Sequence, residues 1–173
     1  DDALISVTES VCEDVDWLAG KRYNLVGVDV AAVFDGQVDR NVRGGFCVIM
    51  WENMVEPIIG GRDHSGVPKV FADIEDVARH GDACSTSVSH FGHQILNMSA
   101  TGLKAVPESQ RKALEVSRRD GVWMNYKYFP SLENDGADIS YACTYPSSGT
   151  CTAAWECRGD IEFFSSSFKK NPT

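Results

Sequence analysis

A chain of 173 residues with 43% hydrophobic and 24% charged side chains is long and apolar enough to bury one sizeable core, which excludes a disordered chain. Its 25 acidic against 16 basic residues leave a formal net charge of -9, so nucleic acid and an anionic membrane surface are both disfavoured as partners. No apolar run approaches the roughly 18 residues needed to span a bilayer, and the run 28–34 is interrupted by Asp29; a soluble, cytoplasmic protein with a single domain over 1–173 is expected.

In chain order, short runs of β-branched and aromatic residues between Gly, Asp and Asn predict strands over 3–8, 25–34, 45–51, 84–96, 122–128, 139–145 and 150–164. Asp35-Gly36 and Asn134-Asp135-Gly136 are turn sequences, because these residues tolerate the positive φ of tight reversals, and they predict antiparallel pairing. Two helices are predicted. One is short, over 55–60, and is expected to end at Gly60 and Gly61. The other opens at Pro107-Glu108 and runs to Arg119, with Gly121 beyond it. Many antiparallel strands with few surface helices predict a mainly β protein whose sheet closes into an antiparallel barrel, since closure removes exposed edges.

Six cysteines (Cys12, Cys47, Cys84, Cys143, Cys151, Cys157) form no C-x-x-C pair and no zinc-ligand spacing, so no metal is expected and the thiols are read as reduced and mostly buried. His90 and His93 fall on opposite faces of the strand predicted there and are expected not to share a site.

Lys69 is the most suggestive residue. It lies between Val67-Pro68 and Val70-Phe71, among apolar neighbours rather than within a charged surface. Desolvation disfavours an ammonium and can turn a lysine into a nucleophile that forms a Schiff base with a ketone. The plainer alternative is a solvated lysine on an edge strand. The run Glu56-Pro57-Ile58-Ile59-Gly60-Gly61-Arg62-Asp63-His64-Ser65-Gly66-Val67-Pro68-Lys69 resembles the signature of the acetoacetate decarboxylase family, in which a segment ending in G-R-E leads to G-x-P-K. Trp17-Leu18-Ala19-Gly20-Lys21-Arg22-Tyr23-Asn24 and Trp51-Glu52-Asn53 are similar to further family elements, and Phe129-Pro130 with Asp135-Gly136 fits a later hairpin. Acetoacetate decarboxylase is itself a known case of a lysine activated by its surroundings.

The resemblance implies a β-barrel with an interior pocket and Lys69 as the Schiff-base residue. It also implies a domain lacking flanking segments at both ends, and a pocket that draws a basic residue from the missing N-terminal part or from another chain of a homo-oligomer. Two departures bear on the reaction. The decarboxylases carry a second lysine where this chain has Val70, and a glutamate two residues after the tyrosine matched to Tyr23, where this chain has Leu25. Glu9 or Ser10 could line the same pocket. Arg62 could clamp a substrate carboxylate, or could pair with Asp63, Glu56 or a carbonyl. Lys69 as catalytic residue, with Arg62 and Leu25 binding substrate, predicts a lyase that decarboxylates a small β-keto acid and needs no cofactor. The alternatives are an aldolase or dehydratase using the same imine, and a barrel that binds small molecules without catalysis.

Overall fold

The structure is a computed structural model that describes residues 4–38, 40–119 and 122–165. In chain order the elements are β1 (Ile5–Val15), a 3-10 turn (Asp16–Leu18), β2 (Lys21–Phe34), β3 (Val42–Glu52), α1 (Val55–Ser65), β4 (Lys69–Phe71), β5 (Asp73–Ile74), β6 (Ala78–His80), β7 (Ala83–His90), β8 (His93–Ala105), α2 (Glu108–Arg119), β9 (Val122–Pro130), β10 (Ala137–Pro146) and β11 (Trp155–Phe163).

The strands form two sheets. The first has the order β1-β2-β3-β9-β10, with β4 also beside β3; the second has the order β11-β8-β7-β5, with β6 beside β7. Pairing is antiparallel except where β3 meets two parallel neighbours, β4 at its end (Met50 opposite Lys69) and β9 at its start (Gly45 opposite Trp123). A parallel neighbour needs a crossover rather than a hairpin, and α1 supplies it between β3 and β4.

The mainly β class with two α-helices is as expected. The expected closure into a barrel is not seen: among the described residues the strands form two sheets and neither closes on itself. The reason lies at Ala72, where the chain leaves the first sheet after β4 and enters the second as β5. The Ala72 N–H donates to the Glu52 carbonyl at 3.0 Å, so this corner hangs from the end of β3. Val26 on the first sheet packs with Ile74, Val88 and Leu96 on the second, with Val7 and Trp51 around them. That apolar layer joins the sheets. Because side chains alternate along a strand, the other face of the first sheet is left free to build something else. There Cys47, Met50 and Val67 form a second cluster with Leu25 and Trp123 against it.

Four local expectations change. α1 runs through Gly60 and Gly61 and stops at Gly66, whose φ of 69° lets its N–H return to the Arg62 carbonyl at 3.1 Å. The predicted strand over 84–96 is two strands, β7 and β8, reversed at Phe91-Gly92, where both residues have positive φ. His90 and His93 are therefore cross-strand partners rather than residues on opposite faces, although no cluster of three or more metal-ligating side chains occurs among the described residues. No disulfide joins the six cysteines, but only Cys47 is fully buried and Cys157 is exposed. No helix among the described residues is long and apolar enough to cross a membrane.

Candidate active site

The register places Lys69 on the face of the first sheet that points away from the second. Lys69 is paired with Met50, and Met50 and Glu52 lie two residues apart on the same side of β3. The Lys69 Nζ donates to Glu52 Oε1 at 2.6 Å and to the Pro57 carbonyl at 3.1 Å. The Lys69 side chain is 12% exposed and that of Glu52 is 0% exposed, so this ion pair is shielded from solvent. Burial pushes the Glu52 carboxyl above its ordinary value of 4.5, while the hydrogen bond and charge of Lys69 pull it back. The second oxygen, Glu52 Oε2, has no partner among the described residues.

Gly61 makes the pair possible. A Cβ there would lie 2.4 Å from Lys69 Cε, 2.6 Å from Cδ and 2.7 Å from Nζ, so only glycine lets the lysine lie across α1. The two consecutive glycines, which from sequence alone mark a helix end, instead give one position of close approach within a helix.

Leu25 stands directly opposite Glu52 on β2, and Ser10 stands opposite Leu25 on β1. Cross-strand partners share a face, so Ser10, Leu25 and Glu52 form a row across three strands beside the lysine. A carboxyl, that of Glu52, therefore stands one strand over from Leu25. Glu9 lies on the opposite face, in a cavity with Val7 and Ile161 between the sheets, and burial raises its carboxyl pKa.

Arg62 lines two cavities that Lys69 also lines. Its Nη1 donates to the Lys69 main-chain carbonyl at 3.3 Å, and it lines an open cavity of about 490 Å³ with Ile49, Trp51 and Val70, whose positions alternate with those of Met50 and Glu52. The guanidinium steadies the backbone of β4 from the other side.

Beyond Leu25 the same face is polar and buried. Tyr23 lies at one end, its phenol pushed up first by burial and then by a hydrogen bond with Cys12. Asp29 and Cys47, a cross-strand pair, lie at the other. Burial pushes the Cys47 thiol up to about 12, and the Asp29 carboxylate adds to that shift. A cavity of about 420 Å³ runs over this face, lined by Ser10, Leu25, Gly27, Asp29, Met50 and Trp123 among others.

Glu52 and Asp29 are the residues that sequence reasoning passed over. Each is a single carboxylate inside an otherwise apolar strand, Ile49-Met50-Trp51-Glu52 and Val28-Asp29-Val30. An isolated charge in such a run was the available signal, because burying it is unfavourable without a partner or a purpose.

An antiparallel two-sheet protein with a shielded lysine–carboxylate pair on one sheet face is the class defined by this geometry. The family model for acetoacetate decarboxylase (ADC) matches residues 1–170, and the chain belongs to that family. Its fold is similar to acetoacetate decarboxylase from Legionella pneumophila, with a TM-score of 0.71 and 20% identity over 84% of this chain and 55% of that one. An acetoacetate decarboxylase-like enzyme from Sphingomonas wittichii aligns with a TM-score of 0.62 and 16% identity over 86% of this chain and 58% of that one. The enduracididine biosynthesis enzyme MppR, complexed with the condensation product of pyruvate and imidazole 4-carboxaldehyde, aligns with a TM-score of 0.58 and 17% identity over 86% of this chain and 55% of that one. No curated protein sequence matches the chain. The chain spans 55% of the Legionella enzyme, about half its length.

Proposed function

We propose that the protein is a Schiff-base lyase in which Lys69 condenses with the ketone of a small β-keto acid. The observation that carries this reading is the 2.6 Å contact between Lys69 Nζ and a fully buried Glu52. An ammonium cannot attack a carbonyl, so the first step is proton transfer along that hydrogen bond to Glu52, whose raised affinity for a proton suits it to accept one. The free amine adds to the ketone carbon. The nitrogen passes one proton to the alkoxide so formed, and Glu52 returns its own proton to the resulting hydroxyl, which leaves as water and gives the iminium. The iminium nitrogen then accepts the electron pair of the breaking carbon–carbon bond as CO2 departs. A proton from solvent onto the enamine carbon regenerates an iminium, and water adds to it to release the ketone and restore Lys69 as the ammonium. The scheme uses no cofactor. Leu25 supplies the apolar wall beside the pair, and Arg62 acts through the β4 backbone rather than on the substrate.

The same iminium would serve an aldol or dehydration reaction. The observation that favours this second reading is the replacement of an acid by Leu25 next to Glu52, which leaves one carboxyl for every proton transfer. The test is borohydride reduction in the presence of acetoacetate, followed by peptide mass mapping. An adduct on Lys69 with CO2 release supports the lyase. An adduct without CO2 release favours the second reading, and no adduct on Lys69 refutes both.

A further inference from the structure

Glu52 is the last residue of β3, and its pairing with Leu25 is the last of the β2–β3 register. A strand end frays, because its terminal residue is held by the ladder from one side only. The contact with Lys69 that the proposed chemistry needs is 2.6 Å long and depends on this position. Hydrogen bonds stand where the fraying would begin. The Asn53 N–H donates to the Asn24 carbonyl at 3.3 Å, as a further ladder position would. The return bond, from the Asn24 N–H, goes at 2.8 Å to the side-chain Oδ1 of Asn53. A side-chain amide thus adds one register position just where the chain leaves β3 for α1. Asn24 Nδ2 in turn donates to Asp76 Oδ1 at 2.9 Å and to the Ile74 carbonyl at 3.4 Å, which ties the same point to β5 of the second sheet.

Asn24 is 2% exposed, and a buried amide with its hydrogen bonds made is ordinarily a matter of cohesion between layers. What ties this one to the chemistry is register. Asn24 precedes Leu25 and Asn53 follows Glu52, so the Asn24–Asn53 pair and the Leu25–Glu52 pair are consecutive steps of one ladder. Side chains alternate along a strand, so Asn24 points away from the Leu25 face and reaches the reacting groups through the backbone alone. Resting on the Schiff-base reading above, we infer that Asn53 and Asn24 are positioning residues: they lengthen the β2–β3 ladder past Glu52 and so hold its carboxylate on Lys69. Without them Glu52 is the free end of β3. A move of about 1 Å takes its Oε1 out of hydrogen-bond reach of Nζ, and a misplacement of that size at a reacting group costs about a hundredfold in rate. The exposed Arg22–Asp76 pair, at 2.7 Å, closes the outer end of the network, where an ion pair contributes little.

The test reads Glu52 directly. Protein labelled with carbon-13 at the glutamate carboxyls is titrated by NMR, the Glu52 signal being assigned from Glu52→Gln, in the wild type, Asn53→Ala, Asn53→Ser and Val88→Ala. Borohydride trapping with acetoacetate is run on each. The hydrogen bond and charge of Lys69 pull the Glu52 carboxyl down, so a carboxylate released from Lys69 is expected to titrate at higher pH in both Asn53 variants. Trapping is expected to slow at least about tenfold in both. Val88, buried in the layer between the sheets, controls for lost stability: Val88→Ala is expected to melt earlier, with the Glu52 midpoint and the trapping rate of the wild type. In the wild type the Asn24 N–H is expected to exchange with solvent as slowly as amides inside the β2–β3 ladder, a measurement that decides the matter even if neither Asn53 variant folds. An unchanged Glu52 midpoint in a folded Asn53 variant, an equal shift in Val88→Ala, or an Asn24 amide that exchanges like one in an exposed loop overturns the inference. Failure of the Schiff-base reading is seen separately, as absence of a reduced adduct on wild-type Lys69, and the Glu52 midpoint then still decides the role of Asn53.

Discussion

Gly61→Ala is the sharpest perturbation of the site, because the helix itself has every reason to tolerate it. In an α-helix, alanine is favoured over glycine by about 1 kcal/mol. At Gly60, where an added Cβ meets nothing within 4 Å, Gly60→Ala is expected to realise most of that gain. At Gly61 the new methyl falls 2.4 Å from Lys69 Cε and 2.7 Å from Nζ. Restoring an ordinary carbon–carbon separation of about 3.6 Å requires the lysine to retreat by about 1 Å. A displacement of that size breaks the 2.6 Å bond to Glu52. The clash falls on the flexible end of the lysine, so the cost is that of the lost hydrogen bond between charged groups, about 1.5–3 kcal/mol, and after the helix gain the variant is expected to lose about 0.5–2 kcal/mol. A misplacement of about 1 Å at a reacting group also costs about a hundredfold in rate. The assay is chemical denaturation of both glycine variants beside the rate of borohydride-trapped adduct with acetoacetate. Gly60→Ala should melt later than the wild type and trap at the same rate. If Gly61→Ala is as stable as Gly60→Ala and traps as fast as wild type, Lys69 does not lie against α1 and the proposed site is wrong.

Leu25→Glu puts a second carboxyl directly opposite Glu52; the pair is expected to share one proton, to lower stability by several kcal/mol, and to raise CO2 release from acetoacetate above that of the wild type, measured at equal folded concentration. Arg62→Ala removes a hydrogen bond to the Lys69 carbonyl, so a loss of about 1 kcal/mol and a change in KM for acetoacetate of no more than about threefold are expected; a large rise in KM would instead place the guanidinium on the substrate. Burial raises the carboxyl pKa values of Glu9, Asp29 and Glu52 above 4.5, 3.8 and 4.5. The folded state therefore holds these protons more tightly than the unfolded chain, and their stabilising contribution is full below the ordinary values and is lost as pH rises through the folded ones. Melting curves of wild type and Asp29→Asn should accordingly show a difference that shifts against the wild type as the pH is raised, and a difference independent of pH would contradict the shift at Asp29.

Composition and local pattern carried the strand-rich class, the reversal at Asn134-Asp135-Gly136 and the helix that ends near Arg119. Each of these rests on neighbours in the chain: β-branched alternation, turn residues with positive φ, or capping chemistry. The run 84–96 was misread as one strand because Phe91-Gly92 lacks the Asn or Asp that usually marks a two-residue reversal, and pairing energy between β7 and β8 overrode the weak local signal. α1 outran its predicted end for a related reason, since packing against β4 and β9 holds helical a glycine pair that is unfavourable in isolation.

The site itself depended on distance in space rather than along the chain. Glu52 and Lys69 are 17 positions apart, and they meet only because α1 carries the chain back to lay β4 parallel to β3. Leu25 and Glu52 are joined by strand register, and a slip of one residue would turn either of them to the other face. Leu25 and the isolated acid at Glu52 are both visible in the sequence, but that they stand opposite each other beside Lys69 is not. Whether a carboxylate in an apolar strand is a catalytic partner or an unsupported charge is decided by what the fold sets against it, because the interaction of charges depends on separation and burial that no local pattern contains.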